Sequence, residues 1–307
     1  MNGSPIKGVM VPVLTPLTPN EDVDVQSLVR LVNYLIENGV HGIWAAGTNG
    51  EFASLTNKQH VICIKTVVNA TSGRVPVIGN ISAASTKTSI EIGKSVDKIG
   101  LAGIAATPPY YYLNSQDELL EHFRYIKSSL GMPLWIYNIP PNVKAEVEAS
   151  TIVDLALDGT IAGIKDSSGA GEKFANLRIL CEQKGVDPYR FLGTVNRITS
   201  AGSLGAHGVI PGLGNFVPNI ASLGWESGET SDAELAGKYN NKLMLATKIS
   251  RLAKAGSAQA SSISGMKSAL KIMGVIDNDT VTRPLRPLKH EEKKTIPELI
   301  EELGLEY

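Results

Sequence analysis

Eight short apolar runs recur along this chain, most of them about 30 residues apart, the length of one strand-plus-helix unit. They occupy residues 8–14, 42–46, 75–80, 103–107, 133–137, 161–165, 190–194 and 208–211, each read as followed by a helix-like period. Their hydrophobicity is continuous rather than alternating, which fits parallel strands covered on both faces. Eight such units predict an α/β fold whose sheet closes on itself, a (β/α)₈ TIM barrel, in preference to an open doubly wound sheet. After about residue 225 the strand pattern stops. Helical periods follow over 232–252, 262–273 and 291–303, with Pro284 and Pro287 interrupting them. No Gly/Ser linker separates the two parts, so the expected division is a catalytic barrel over 1–225 and a C-terminal helical extension over 226–307, packed on the barrel. Two helix starts carry local signals: Thr56-Asn57-Lys58-Gln59 resembles a capping box, and Ser115-Gln116-Asp117-Glu118 places acid in a first turn.

Charge and composition exclude several classes of function. A net charge of -1, from 29 basic and 30 acidic side chains spread along 307 residues, leaves no footprint for nucleic acid or an anionic membrane. Small, weakly charged substrates are the expected partners. No apolar run approaches the ~20 residues of a membrane span, and Met1 to Lys7 has neither the charged start nor the apolar stretch of a secretory leader. A cytoplasmic location is therefore expected. Cys63 and Cys181 sit far apart in helix-like segments and read as reduced packing residues. The 5 histidines are scattered, and neither a zinc-binding pair nor a glycine-rich nucleotide loop appears, so metal and nucleotide sites lack support.

In a barrel of this kind the active site gathers at the carboxyl ends of the strands. The sixth run ends in Gly163-Ile164-Lys165-Asp166-Ser167-Ser168, delivering a lysine to that rim. An unperturbed lysine at neutral pH is only roughly 0.04% free amine, for a pKa of ~10.4. Desolvation disfavours the ammonium, and the amine can then attack a carbonyl to form a Schiff base. The alternative is that Lys165 snorkels to the surface or pairs with a carboxylate, and this segment alone leaves both open. The second run ends in Gly47-Thr48-Asn49-Gly50-Glu51, where glycines let backbone approach a ligand and Thr48, Asn49 and nearby amides can hold a carboxylate, unless the loop is only a turn into the next helix. The fifth run ends in Tyr137-Asn138-Ile139-Pro140-Pro141, a phenol that either moves protons or simply packs. The fourth yields Thr107-Pro108-Pro109-Tyr110-Tyr111-Tyr112, a proline-stiffened aromatic loop suited to an interface or a lid.

Taken in order and at their spacing, Gly47-Thr48-Asn49-Gly50-Glu51, Thr107-Pro108-Pro109-Tyr110-Tyr111, Tyr137-Asn138-Ile139-Pro140, Gly163-Ile164-Lys165-Asp166 and Gly208-Val209-Ile210-Pro211 resemble the dihydrodipicolinate synthase/N-acetylneuraminate lyase family of class I, pyruvate-dependent aldolases. The resemblance covers essentially the whole chain. It implies a Schiff base between Lys165 and a 2-keto acid, with no metal and no separate cofactor, and a proton shuttle at Tyr137. It also implies carboxylate binding by Thr48 and Asn49, and a Tyr110 that reaches a neighbouring subunit's site to complete a relay through Thr48 and Tyr137. Gly193 and Ile210 would line the site with their backbone, and Ser167 would contact the distal part of the substrate. A homo-oligomer follows, a dimer or a dimer of dimers.

Two departures bear on the substrate. In dihydrodipicolinate synthases the strand-five motif continues to an arginine that grips the carboxylate of aspartate semialdehyde. Here the matching residue is Asn142, with Lys144 two positions on as a partial substitute. Sialic acid lyases carry an acidic pair where this chain has Gly193-Thr194-Val195-Asn196. The Thr48-Asn49 pair and Glu51-Phe52 look more like the 2-keto-3-deoxy-sugar-acid and 4-hydroxy-2-oxoglutarate aldolases. The expected activity is thus cleavage or formation of a carbon–carbon bond between pyruvate and an aldehyde on such a substrate. Condensation of pyruvate with aspartate semialdehyde comes second, and a non-catalytic keto-acid-binding barrel third.

Overall fold

Eight parallel strands close into a barrel in sequence order in the computed structural model, which describes residues 6–230 and 232–305. Most of the segment from Met1 to Lys7 that bears on a leader lies outside them. The strands are β1 (Gly8–Pro12), β2 (Gly42–Ala45), β3 (Val77–Asn80), β4 (Gly103–Ala106), β5 (Leu134–Asn138), β6 (Gly163–Asp166), β7 (Tyr189–Leu192) and β8 (Gly208–Val209), and β8 pairs back onto β1. Helices α1 (Val25–Glu37), α2 (Asn57–Thr71), α3 (Thr86–Ser95), α4 (Gln116–Leu130), α5 (Pro140–Val143), α6 (Ala149–Leu157), α7 (Gly171–Lys184) and α8 (Pro218–Glu229) connect or follow the strands. The (β/α)₈ expectation holds: every strand falls on an expected run, with β5 and β6 extending past the end of theirs to Asn138 and Asp166 and β7 starting ahead of its run at Tyr189.

Alternation along each strand separates two apolar layers. One set of side chains fills the barrel interior: Met10, Trp44, Ile78, Trp135 and Phe191, with the small Ala105 between larger neighbours and Tyr137 and Ile210 near the top. The other set, among them Val9, Ile43, Ile104, Ile136 and Ile164, packs outward against the helices. Trp44 meets Trp135 edge to face at 6.2 Å, and Trp135 stacks on Tyr189 at 5.5 Å, so aromatic rings plug the middle of the barrel. Gly208 in the two-residue β8 is demanded by space: a Cβ there would lie 2.1 Å from the Gly8 carbonyl oxygen and 2.3 Å from the Phe191 ring.

Both local helix signals operate. Thr56 and Gln59 form a reciprocal capping box at α2, and Ser115 and Glu118 do so at α4. Helix α8 runs through residue 225 without a break. Beyond it lie α9 (Ala233–Ala246), α10 (Ala258–Ile272), α11 (His290–Lys293) and α12 (Ile296–Leu303). The expected helix over 232–252 is shorter because its last residues tighten into a 3₁₀ turn, Thr247–Arg251, and the one over 262–273 starts earlier because Ser257 caps Ala260. The last expected helix divides at Lys294 and Thr295, ahead of Pro297. Helix α10 is buried along most of its length, and at Gly265 a Cβ would stand 2.0 Å from the Ile249 carbonyl oxygen, so the extension packs backbone against backbone. Cys63 and Cys181 are free and buried. Among the described residues no helix is long and apolar enough to cross a membrane.

Candidate active site

Strands β5 and β6 pair with Tyr137 opposite Lys165, so one register brings the two candidate reactive side chains side by side. Lys165 is 3% exposed, with its Nζ 4.0 Å from the Tyr137 ring centroid and 5.1 Å from that of Trp44. Among the described residues no carboxylate pairs with it, so it neither snorkels nor forms an ion pair. Burial lowers its pKa below the ordinary lysine range, and the neighbouring Tyr137 only partly opposes that. Strand alternation turns the next residue, Asp166, to the outer face. There it accepts from Asn138 Nδ2 at 2.9 Å and Ser168 Oγ at 2.9 Å, while burial raises its pKa. Asp166 faces a separate cavity of about 320 Å³ between β6 and the helices, shared with Asn138, Glu146, Lys173 and Phe174. The acidic neighbour in sequence thus leaves the lysine alone in an aromatic wall.

Thr48 joins this pair: its Oγ1 is 3.0 Å from the Tyr137 hydroxyl. Its loop has an unusual backbone, with non-glycine residues Ala46 (φ 53) and Glu51 (φ 60) both left-handed. A Cβ at Gly50 would come within 3.1 Å of Thr15 Oγ1 and the Val13 carbonyl oxygen, and Thr15 Oγ1 donates to the Gly50 carbonyl at 2.7 Å. Asn49 packs across the top of the barrel against Gly212, where an added Cβ would meet its Nδ2 at 2.6 Å.

The remaining candidates fall around Lys165. A Cβ at Gly193 would lie 3.2 Å from Lys165 Cε and 2.0 Å from Ser167 Oγ, so only glycine fits between those side chains. The Gly193 N–H donates to the Asp166 carbonyl at 2.7 Å and the Ser167 N–H to the Asn138 carbonyl at 2.8 Å, extending the β5–β6–β7 ladder into the rim. Ile210 is buried in the same interior layer as Tyr137. An adjoining cavity of about 210 Å³ begins at Thr48 and is lined by Tyr110, Thr107, Ile139, Asn142 and, from the C-terminal extension, Gln259. Tyr110 is half-buried against Phe52, with ring centroids 6.4 Å apart, and burial raises its pKa. No hydrogen bond joins Tyr110 to Thr48 among the described residues, so a three-residue relay is not closed within one chain. Lys144 is exposed and turns its Nζ onto the Pro141 carbonyl at 2.8 Å, away from the lining of this cavity, which removes it as a stand-in for arginine. Lys267, whose ammonium reaches the Glu51 carboxylate, escaped the motif reading and had no local signal beyond its place in a helical period. Tyr111, in the aromatic loop read as an interface or a lid, has φ 93 and is 90% exposed.

This arrangement, a desolvated amine beside a phenol that is hydrogen-bonded to a hydroxyl, can form an imine and move protons around it. Known proteins share both the fold and its sequence. A 4-hydroxy-tetrahydrodipicolinate synthase of Shewanella piezotolerans is 30% identical over 286 residues, spanning 93% of this chain and 94% of that protein. The dihydrodipicolinate synthase of Bacteroides thetaiotaomicron superposes with a TM-score of 0.90 at 29% identity, over 97% of this chain and 99% of its own. The chloride-inhibited dihydrodipicolinate synthase of Acinetobacter baumannii, solved in complex with pyruvate, does so at 0.86 and 28%, over 98% and 100%. With residues 5–303 matching its sequence pattern, the chain belongs to the dihydrodipicolinate synthetase family, whose members are pyruvate-dependent class I lyases and aldolases.

Proposed function

We propose that Lys165 is the Schiff-base lysine of this enzyme and that Tyr137 and Thr48 move the protons of the reaction. The observation that carries this is the register of β5 and β6, which sets a buried Lys165, without a carboxylate partner among the described residues, against Tyr137 while Tyr137 holds Thr48 at 3.0 Å. The neutral Nζ attacks the keto carbon of pyruvate, the carbonyl oxygen takes a proton, and loss of water leaves a protonated imine. A methyl proton then passes to the Tyr137–Thr48 pair while the C–H electron pair flows into the iminium, giving an enamine. Its carbon attacks the aldehyde, a carbon–carbon bond forms, and the aldehyde oxygen collects a proton from the Tyr137 phenol, which is replenished through Thr48. Hydrolysis or displacement of the imine frees Lys165. Cleavage is the same path reversed, and Asn49 with the loop amides holds the keto-acid carboxylate, while Ser167, Gly193 and Ile210 line the other side.

For the second substrate, the relatives favour the synthase over the sugar-acid aldolase that the motifs placed first, since the matched curated proteins carry the name 4-hydroxy-tetrahydrodipicolinate synthase. Condensation with aspartate semialdehyde is therefore the leading assignment. Asn142 supports the second reading, cleavage of a 2-keto-3-deoxy sugar acid or 4-hydroxy-2-oxoglutarate, because among the described residues neither arginine nor lysine lines the adjoining cavity. Comparison of kcat/KM for the semialdehyde and for the two keto acids decides: a higher value with the semialdehyde supports the synthase, and the reverse order overturns it. Asn142→Arg is expected to raise kcat/KM for the semialdehyde by roughly tenfold, because a guanidinium forms two charge-assisted bonds to a carboxylate. Unchanged kcat/KM in that variant removes Asn142 as the discriminating residue.

The same reading includes a homo-oligomer. Tyr111, Tyr112 and Leu113 are 90%, 75% and 76% exposed at one loop tip, an apolar group that a second copy would cover. The left-handed backbone of Tyr111, strained for a large side chain, makes it a better candidate than Tyr110 for the residue that reaches a neighbour. Leu113→Glu is expected to shift the sedimenting species toward monomer; an unchanged mass distribution removes this tip from the interface.

A further inference from the structure

The loop that carries Thr48 and Asn49 is held from the far end of the chain. Glu51, its last residue, and Lys267, in the middle of α10, are separated by 216 positions, yet Lys267 Nζ lies 2.5 Å from Glu51 Oε1 and both side chains are 0% exposed. The other carboxylate oxygen, Oε2, accepts from the Thr282 N–H at 2.7 Å and the Thr282 hydroxyl at 2.8 Å, and Lys267 also donates to the Thr280 carbonyl at 2.7 Å. From the opposite side Thr15 Oγ1 donates to the neighbouring Gly50 carbonyl. Within the loop the Glu51 N–H bonds the Thr48 carbonyl at 3.1 Å, so the anchored residue is tied directly to the one that carries the hydroxyl.

A buried ion pair of this kind is a poor device for stability, since desolvating both charges offsets most of their attraction and apolar replacements are often as stable. It is a good device for register, because each charge left alone would be costly and so each holds the other in place. Here it closes on a loop with left-handed, non-glycine Ala46 and Glu51, a backbone that surrounding contacts must impose. Helix α10, moreover, supplies Gln259 to the cavity beside Thr48, so the same element lines the site and anchors its loop.

We infer that Glu51 and Lys267 are positioning residues: through their buried contact the C-terminal extension locks the loop over residues 47–51 and keeps the Thr48 hydroxyl on Tyr137. The inference rests on the Schiff-base reading of the site. It makes the extension part of the proton-transfer machinery, with Lys267 acting through Glu51 and Thr48.

The test uses pyruvate alone. Exchange of its methyl protons in D₂O, followed by NMR, needs imine and enamine formation but no aldehyde. Glu51→Gln combined with Lys267→Met removes both charges while conserving size. It is expected to leave the melting temperature within a few degrees and the borohydride-trapped adduct intact. The exchange rate should fall by about 10- to 100-fold, the scale of a misplaced catalytic group. Made on a Thr48→Val background, the same double replacement should cost less than about threefold, because residues that act as one unit are non-additive. Thr282→Val, which removes one hydroxyl from Glu51, should show the same pattern with a smaller loss, and it decides the matter if the double replacement does not fold. Equal losses in both backgrounds, or no loss, would overturn the inference while leaving Lys165 as the Schiff-base residue. A parent enzyme that traps no pyruvate at Lys165 would overturn the Schiff-base reading and the inference together.

Discussion

Borohydride reduction in the presence of pyruvate is expected to leave one stable adduct per chain, located at Lys165 by peptide mass mapping, and Lys165→Ala should abolish it. The same substitution should lower kcat by on the order of 10⁴-fold or more, as removing a covalent nucleophile does. The physical basis is the environment of the amine: buried, set between the Tyr137 and Trp44 rings, and without a carboxylate partner among the described residues. Burial lowers the pKa, and the nucleophile is the neutral form. The rate of adduct formation should therefore rise with pH and level off below the 10.5 of an ordinary lysine. A rate still climbing through that value would mean that the amine is not desolvated in solution. Modification at Lys87 or Lys144 with Lys165 untouched would defeat the assignment outright.

Tyr137→Phe separates proton transfer from imine formation. The phenyl ring keeps the edge-to-face packing on Trp44 at 5.6 Å and the wall beside Lys165, and it loses only the hydroxyl bonded to Thr48. Stability should change by about 1 kcal/mol, the net worth of one hydrogen bond, so the variant should fold. Pyruvate should still be trapped at least in part, while kcat falls by on the order of 10²–10⁴-fold, the usual contribution of a positioned acid–base group. Near-normal turnover would make the phenol a packing residue and move the proton shuttle elsewhere.

Much of this molecule was legible along the chain, for a physical reason. A strand buried on both faces must be apolar throughout, so the eight runs announce themselves, and the polar Lys165 and Asp166 close β6 because rim polarity begins where the interior stops. Capping is equally local: Thr56 and Gln59 close the capping box their spacing suggests, and Ser115 with Glu118, read as acid in a first turn, closes one as well. Helix ends were less legible, since whether 247–251 continues α9 or tightens into 3₁₀ depends on what it packs against.

Tertiary structure alone decided the rest. Whether Lys165 would snorkel, pair with Asp166 or stand free depended on which face of β6 each residue occupies in the closed barrel and on the rings supplied by β2 and β5. That Lys144 bends back onto its own turn is settled by a single hydrogen bond. The Glu51–Lys267 contact had no sequence signal, because a charge in a helical period looks solvated until the partner arrives from 216 residues away. By itself the sequence determined which segments are interior and which residue types reach the rim, because burial and turn chemistry act over a few neighbours. Which rim residues meet, and at what distance, was decided only when barrel closure and the docking of α10 brought distant segments together, since those contacts are properties of the closed chain.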